Sequence, residues 1–404
     1  MITKQPILNI GMVGHIDHGK TTLLYRLSGK WADTHSEELK RGITIKLGYA
    51  DVIINKCEKC GKFTREKECS CGGKAIPYRY VSFVDVPGHE MLMATMLSGA
   101  AIIDAALLII AANEPCPRPQ TKEHLVALQA KGLKNIIIVQ NKIDLVTKEE
   151  ALKNYQQIKD FVKGTVAENS PIIPVSAQQG INLEAIFEEI TKIPVPERDL
   201  KSDAVFFVAR SFDVNKPGTS PEQLKGGVLG GILKRGKLGI GDEIEIKPGM
   251  TVKKHEKTEY FSLKTKIIGL QAGNNKLEEA EPSGSLAIQT ELDPLLAKSD
   301  NLSGCVVGKT GTIQDATFKL KLKLNLFKEI LGEEKRQVVE AIKTNESLLL
   351  SVNTSISLGM VSKSKDNEVE LILRIPVVAL KGSKVGIARN YTGHWRLIGY
   401  GEII

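Results

Sequence analysis

Gly14-His15-Ile16-Asp17-His18-Gly19-Lys20-Thr21 fits the pattern G-x-x-x-x-G-K-[ST], and it follows the apolar run Ile7-Leu8-Asn9-Ile10-Gly11-Met12-Val13. The run reads as a buried strand, and the chain from Lys20 to about Ser28 reads as a helix. A strand feeding a glycine-rich turn and then a helix aims consecutive N–H groups and the positive helix end at one point, which suits a polyphosphate. Gly14 and Gly19 let the backbone wrap an anion with no Cβ in the way. Lys20 offers a point charge to the β and γ phosphates, and the Thr21 hydroxyl suits Mg²⁺. The stretch predicts a nucleotide-binding α/β domain.

The base is addressed further along. Asn141-Lys142-Ile143-Asp144 follows Asn135-Ile136-Ile137-Ile138-Val139, a β-branched run that reads as a buried parallel strand and places the tetrapeptide where ligands bind in open α/β sheets. A carboxylate at Asp144 accepts from the N1–H and exocyclic amine of guanine, whereas adenine has no N1 donor and would leave it facing an acceptor. Asn141 is expected to tie this loop to the phosphate loop, and the stem of Lys142 to cover the base. Ser176-Ala177-Gln178, after Pro171-Ile172-Ile173-Pro174-Val175, would complete the pocket with N–H groups aimed at O6.

Between these motifs lies Asp85-Val86-Pro87-Gly88-His89, after the strand-like Tyr80-Val81-Ser82-Phe83-Val84. Asp85 suits Mg²⁺, directly or through water, and Gly88 can present its N–H to a γ phosphate and rotate away when that group leaves. His89 is placed to orient an attacking water, since the protein's part in phosphoryl transfer is mostly positioning and charge stabilisation. Upstream, Arg41-Gly42-Ile43-Thr44-Ile45 ends a polar segment, and Thr44 would join the Mg²⁺ shell only when the γ phosphate is present.

The set HIDHGKTT, RGITI, DVPGH, NKID and SAQ resembles the translational GTPases, the family of elongation factor Tu. Three further stretches narrow the resemblance to the gamma-subunit family of archaeal and eukaryotic initiation factor 2, essentially from end to end. They are Ala112-Asn113-Glu114-Pro115 with Pro119 to Leu125, Arg210 to Thr219, and His394-Trp395-Arg396-Leu397-Ile398-Gly399. The resemblance implies GTP hydrolysis and GTP-dependent carriage of initiator methionyl-tRNA to the small ribosomal subunit, within a heterotrimer with alpha and beta subunits. It implies that GTP meets Asp17, His18, Gly19, Lys20, Thr21, Thr22, Asp85, Gly88, Asn141, Lys142, Asp144, Ser176, Ala177 and Gln178. By the same resemblance Ile16 and Ile43 form an apolar gate beside His89 and Gly88. Thr21 and Thr44 hold the catalytic Mg²⁺, and Asp17 with the Gly42 carbonyl holds a second ion.

Cys57-Glu58-Lys59-Cys60 and Cys69-Ser70-Cys71 flank a short Lys/Glu-rich loop. Four thiols so close, in a chain without secretory features, read as one tetrahedral Cys₄ zinc site in an insert spanning 56–74, with reduced thiols or disulfides as the other reading. Too few apolar residues lie there for the insert to fold unaided, so metal would supply its folding free energy. The one-residue spacer of Cys69-Ser70-Cys71 is expected to strain a shared site. Cys116 and Cys305 read as buried side chains.

At 404 residues the chain exceeds one core, and 42% apolar with 25% charged residues fits globular domains. Apolar strand runs alternate with helical patterns up to about Glu197, which predicts a mostly parallel sheet with helices on both faces over 1–200. After Pro194 to Asp199, short alternating runs broken by Gly226-Gly227, Gly230-Gly231, Pro248-Gly249 and Pro282-Ser283-Gly284 predict two antiparallel β-barrels, 201–314 and 315–404. Phe318-Lys319-Leu320-Lys321-Leu322-Lys323-Leu324 alternates so that one face is core and the other basic, either an RNA surface or an ordinary solvated face. Of the +8 net charge, +6 falls from Lys201 onward, with 30 basic against 24 acidic residues, a surplus compatible with RNA phosphates.

No signal peptide fits, since residues 1–13 lead straight into the phosphate loop. The most apolar segment, Ala100 to Ala112, is too short for a bilayer and contains Asp104, so a cytoplasmic chain without membrane contact is expected. Other classes compatible with the motifs are an elongation-type carrier, selenocysteine-specific or Tu-like, a GTPase subunit of a metabolic enzyme such as sulfate adenylyltransferase, and a nucleotide-stabilised scaffold.

Overall fold

Residues 8–14, 105–111 and 135–141 are apolar almost throughout because each is buried on both faces of one sheet, and this sheet carries the site. The computed structural model describes residues 3–31, 48–86, 102–254, 257–330 and 338–404. The chain divides into two compact units, residues 1–196 with 327–339 and 390–398, and residues 197–326, 340–389 and 399–404.

In the first unit, strands β1 (Leu8–Gly14), β2 (Gly48–Cys57), β3 (Phe63–Thr64), β4 (Ala75–Asp85), β5 (Ala105–Ala111), β6 (Asn135–Asn141) and β7 (Ile172–Pro174) form one sheet in the order β3-β2-β4-β1-β5-β6-β7. The pairs β4/β1, β1/β5, β5/β6 and β6/β7 are parallel, while β2 runs antiparallel to β4. The helices are α1 (Lys20–Ser28), α2 (Pro119–Lys131), α3 (Lys148–Val162) and α4 (Leu183–Lys192). Leu23, Leu24 and Leu27 of α1 and Ile186, Phe187 and Ile190 of α4 share one core with alternate strand residues such as Ile10, Phe83, Leu107 and Val139. Gln140 points the other way, donating to Asn154 Oδ1 of α3 at 2.9 Å. The parallel sheet with helices on both faces is therefore as the alternation predicts, with an antiparallel edge that carries the cysteines.

The second unit holds β8 (Val205–Phe212), β9 (Val228–Arg235), β10 (Leu238–Gly239), β11 (Glu243–Lys254), β12 (Lys257–Ala272), β13 (Asn275–Leu277), β14 (Glu279–Ala280), β15 (Leu286–Thr290) and β16 (Val306–Lys309). Six of these strands run β11-β16-β8-β9-β15-β12, and β12 pairs back on β11. Phe206, Val208, Leu229, Ile244, Ile246, Ile267 and Ile288 fill the interior. The last barrel closes in the order β17-β20-β19-β18-β21-β22, with β17 (Thr317–Leu326), β18 (Ser347–Val352), β19 (Ser355–Lys365), β20 (Glu368–Val377), β21 (Lys384–Tyr391) and β22 (His394–Ile403).

The register of this barrel decides how the Lys/Leu alternation is to be read. Leu320 and Leu322 are buried, but Lys321 lies opposite Glu370, and Lys323 opposite Glu368 on one side and Glu402 on the other. Lys321 Nζ stands 2.8 Å from Glu368 Oε2. Cross-strand carboxylates thus offset Lys321 and Lys323, and that part of the exposed face is a charge ladder, while Lys319 lies opposite Ile372. Leu322→Ala is expected to cost roughly 2–5 kcal/mol in chemical unfolding by opening a cavity. Lys321→Ala, at an exposed ion pair, is expected to cost under about 1 kcal/mol.

Candidate functional site

The phosphate loop leaves β1 at Gly14, whose φ of +146° and tight seat against the Ile109 carbonyl, 2.3 Å from where a Cβ would lie, admit no other residue. Gly19 caps α1 at φ +86°, and a Cβ there would sit 2.5 Å from Asn141 Nδ2. Asp17 is also left-handed, at φ 58°, so the loop is a concave run of N–H groups of the kind that receives anions. Lys20 is buried and its ammonium donates to the carbonyls of Gly14 at 3.0 Å and His15 at 2.7 Å, which holds the charge against the loop. Ile16 is half-buried, as are Thr21 and Thr22, and Asp17 is exposed.

Thr21 Oγ1 donates to Asp85 Oδ2 at 2.8 Å, and Asp85 is fully buried at the end of β4. A hydroxyl and a carboxylate brought together at the head of α1 match the hard-oxygen chemistry that Mg²⁺ requires. Gly42, Ile43, Thr44, Gly88 and His89 lie outside the described residues.

Asn141 joins three loops. Its Nδ2 donates to the His18 carbonyl at 2.9 Å, and its Oδ1 accepts from the Ala177 N–H at 3.0 Å, all within the buried interior. The expected tie to the phosphate loop is therefore present and extends to the Ser176-Ala177-Gln178 loop. Lys142 takes φ 62°, a left-handed conformation unusual for its side chain, and passes the chain to Asp144, which is exposed on a 3₁₀ turn. Ser176 and Ala177 are buried and Gln178 is exposed.

Two buried histidines fasten the phosphate loop, His124 from outside it and His18 from within it, and the motif pattern does not point to either role. Gly14 N–H donates to His124 Nδ1 at 2.8 Å, from α2. Burial, aided by the nearby Lys20 charge, holds the His124 pKa down at about 3, so the ring is neutral and free to accept. His18 donates from Nδ1 to the Ile109 carbonyl at 3.1 Å, and burial pulls its pKa to about 4. With its proton on Nδ1, the ring has no hydrogen to offer Glu114, 3.5 Å from Nε2, and Glu114 pairs instead with Arg118 at 2.7 Å. Beside His124, the carboxylate of Glu123 is buried against Arg396 at 3.0 Å.

The cysteine insert is two tight turns facing each other. Gly61 N–H returns to Cys57 O and Gly72 N–H to Cys69 O, with both glycines left-handed. The four Sγ atoms lie within 4.8 Å of one another, with Cys57–Cys71 and Cys60–Cys69 each at 3.5 Å. Tetrahedral Zn–S bonds of about 2.3 Å require sulfurs roughly 3.8 Å apart, so the residues fit the metal. The N–H of Cys60 helps pull the Cys57 thiol down to about 6. Cys60 is pushed up to about 12, the Lys62 backbone's lowering being outweighed by the neighbouring thiols. Such thiols ionise together only with a cation among them. The short Cys69-Ser70-Cys71 spacer is accommodated because Gly73 has no Cβ, which would lie 2.8 Å from Cys57 Sγ. Arg65, on the intervening loop, donates to the Tyr25 carbonyl at 3.3 Å, giving the C-terminal end of α1 a cation.

Residues 5–195 match the family model described as Elongation factor Tu GTP binding domain, which makes the enzyme a translational GTPase. Residues 318–403 match the model described as Initiation factor eIF2 gamma, C terminal. Relatives named translation initiation factor 2 subunit gamma include those of Methanococcus maripaludis, 53% identical over 100% of this chain and 99% of the relative, and Pyrococcus furiosus, 54% identical over 99% and 98%. That of Archaeoglobus fulgidus is 56% identical over 98% of this chain and 94% of its own. The chain belongs to the gamma-subunit family of translation initiation factor 2. A bacterial selenocysteine-specific elongation factor, EF-Sec, shares the fold with a TM-score of 0.75 and 22% identity over 99% of this chain, which spans 58% of that one. The elongation factor SelB of Methanococcus maripaludis, solved with a GTP analogue, gives 0.72 and 23% over 100% of this chain and 79% of its own.

Unfolded histidine takes up a proton near pH 6.5 while His124 stays neutral to about 3, so stability falls as pH drops through that window. At pH 5 the loss from His124 alone is about 2 kcal/mol, and His124→Asn should flatten the dependence measured by thermal unfolding. Purified protein should carry one zinc by elemental analysis. Cys69→Ser should lose it and expose 57–74 to limited proteolysis.

Proposed function

We propose that the chain is a GTP-gated carrier of initiator methionyl-tRNA, delivering it to the small ribosomal subunit as one member of a heterotrimer with alpha and beta subunits. The reading is supported by the Asn141 bridge, which hydrogen-bonds the phosphate loop and the Ser-Ala-Gln loop to the Asn-Lys-Ile-Asp loop, in a chain whose full-length relatives are named gamma subunits. In it, Asp17 to Thr22, Asp85 and Gly88 receive the phosphates, and Asn141, Lys142, Asp144, Ser176, Ala177 and Gln178 receive guanine.

Thr21 and Thr44 would hold Mg²⁺, with Asp85 close by, and Asp17 with Gly42 a second ion; the metal would neutralise charge on the β and γ phosphates. His89 orients the attacking water, with Ile16 and Ile43 as its apolar gate. Residues 1–200 act as the GTP-binding domain, and 201–314 and 315–404 as two barrel domains that meet the RNA. Among the described residues no helix is long and apolar enough to cross a membrane, and the site of action proposed is the cytoplasmic ribosome.

Filter binding tests the gating. Retention of initiator methionyl-tRNA should be about 5–150-fold stronger with a non-hydrolysable GTP analogue than with GDP, the range of ordinary allosteric coupling; equal retention overturns the proposal. In single-turnover assays His89→Ala should slow GTP cleavage about 100-fold or more, with GTP affinity retained.

A further inference from the structure

Arg26 lies outside every motif, on the face of α1 turned toward the base-recognition loop. Its Nε donates to the Ala177 carbonyl at 3.0 Å and its Nη2 to the Gln178 carbonyl at 2.5 Å. A guanidinium fork on two successive carbonyls sets the orientation of both peptides, because a planar trans peptide puts its N–H opposite its C=O. With the Ala177 carbonyl turned to Arg26, the Gln178 N–H of the same peptide points away from α1. The neighbouring donors are committed, Ala177 N–H to Asn141 Oδ1 at 3.0 Å and Gln179 N–H to Ser176 Oγ at 3.1 Å. The Gln178 N–H has no acceptor among the described residues.

We propose that Arg26 is a positioning residue for guanine selectivity, holding the 176–178 loop so that the Gln178 N–H meets the purine O6. This rests on the reading of that loop as the guanine pocket. Arg26 touches no nucleotide itself. Because it sits on the helix whose first residues, Lys20 and Thr21, serve the phosphates, one rigid element sets the distance between phosphate and base recognition. A lysine at this position could serve one carbonyl but not the pair.

The experiment compares equilibrium binding of GDP and 6-thio-GDP, which keeps the N1–H and amine that Asp144 reads but weakens the acceptor at position 6. The full chain should bind GDP more tightly than 6-thio-GDP. Arg26→Ala should weaken GDP about tenfold, leave 6-thio-GDP nearly unchanged and so collapse the ratio, and Arg26→Lys should restore part of it. If the unaltered chain does not distinguish the two ligands, the guanine-pocket reading fails. If it does and Arg26→Ala keeps the same ratio, whether by weakening both ligands equally or neither, Arg26 has no positioning role. Should Arg26→Ala fail to fold by circular dichroism, Arg26→Gln supplies the same comparison.

Discussion

One buried carboxamide holds the nucleotide unit's three loops in register. Asn141 has a donor and an acceptor on a single planar group, and both are spent on backbone, the His18 carbonyl on one side and the Ala177 N–H on the other. Aspartate has no donor for His18, and leucine would leave both backbone groups buried and unpaired, at a cost of about 1–3 kcal/mol each. The rest of the site follows from this constraint. Gly19 must be glycine because the carboxamide occupies the space of its Cβ, and the chain beyond Asn141 must turn left-handed at Lys142 to carry Asp144 back to the rim.

Charge is managed locally. Lys20 is anchored on the Gly14 and His15 carbonyls, which hold its ammonium against the phosphate loop. The two histidines beside it are kept neutral by burial, so they fasten the loop through hydrogen bonds without adding charge to it. In the last barrel Lys321 of β17 faces Glu370, and Lys323 faces Glu368 and Glu402 on its two neighbouring strands, so charge is offset there, while Lys319 lies opposite Ile372.

What could be read in advance followed chain locality. Gly14, Gly19, Lys20, Thr21 and Asn141 sit in short patterns whose geometry is set by adjacent residues, and the apolar runs of β1, β5 and β6 announce strands buried on both faces. His124 and Arg26 were not legible in this way. Each lies within an ordinary helix and acquires its role from a loop about a hundred residues or more away, 110 for His124 and 151 for Arg26 with Ala177. The same holds for the lysine ladder, since alternation along β17 reveals which residues face out but not what the register places opposite them. At the cysteines, the short spacer suggested strain, and relief came from Gly73, a residue whose importance appears only once the two turns face each other.

Helix α1 has nine residues and almost no spare positions. Lys20 and Thr21 face the phosphate side, Leu23, Leu24 and Leu27 are core, Arg26 holds the base loop, and the Tyr25 carbonyl receives Arg65 from the cysteine insert. A segment with this many simultaneous obligations can drift little over evolution, because a change that improves one contact disturbs another within a turn. Sequence divergence in this unit should therefore be sparse along α1 and freer on α3, where residues such as Leu152 face solvent, and a catalogue of natural variants would display that contrast without any biochemical assay.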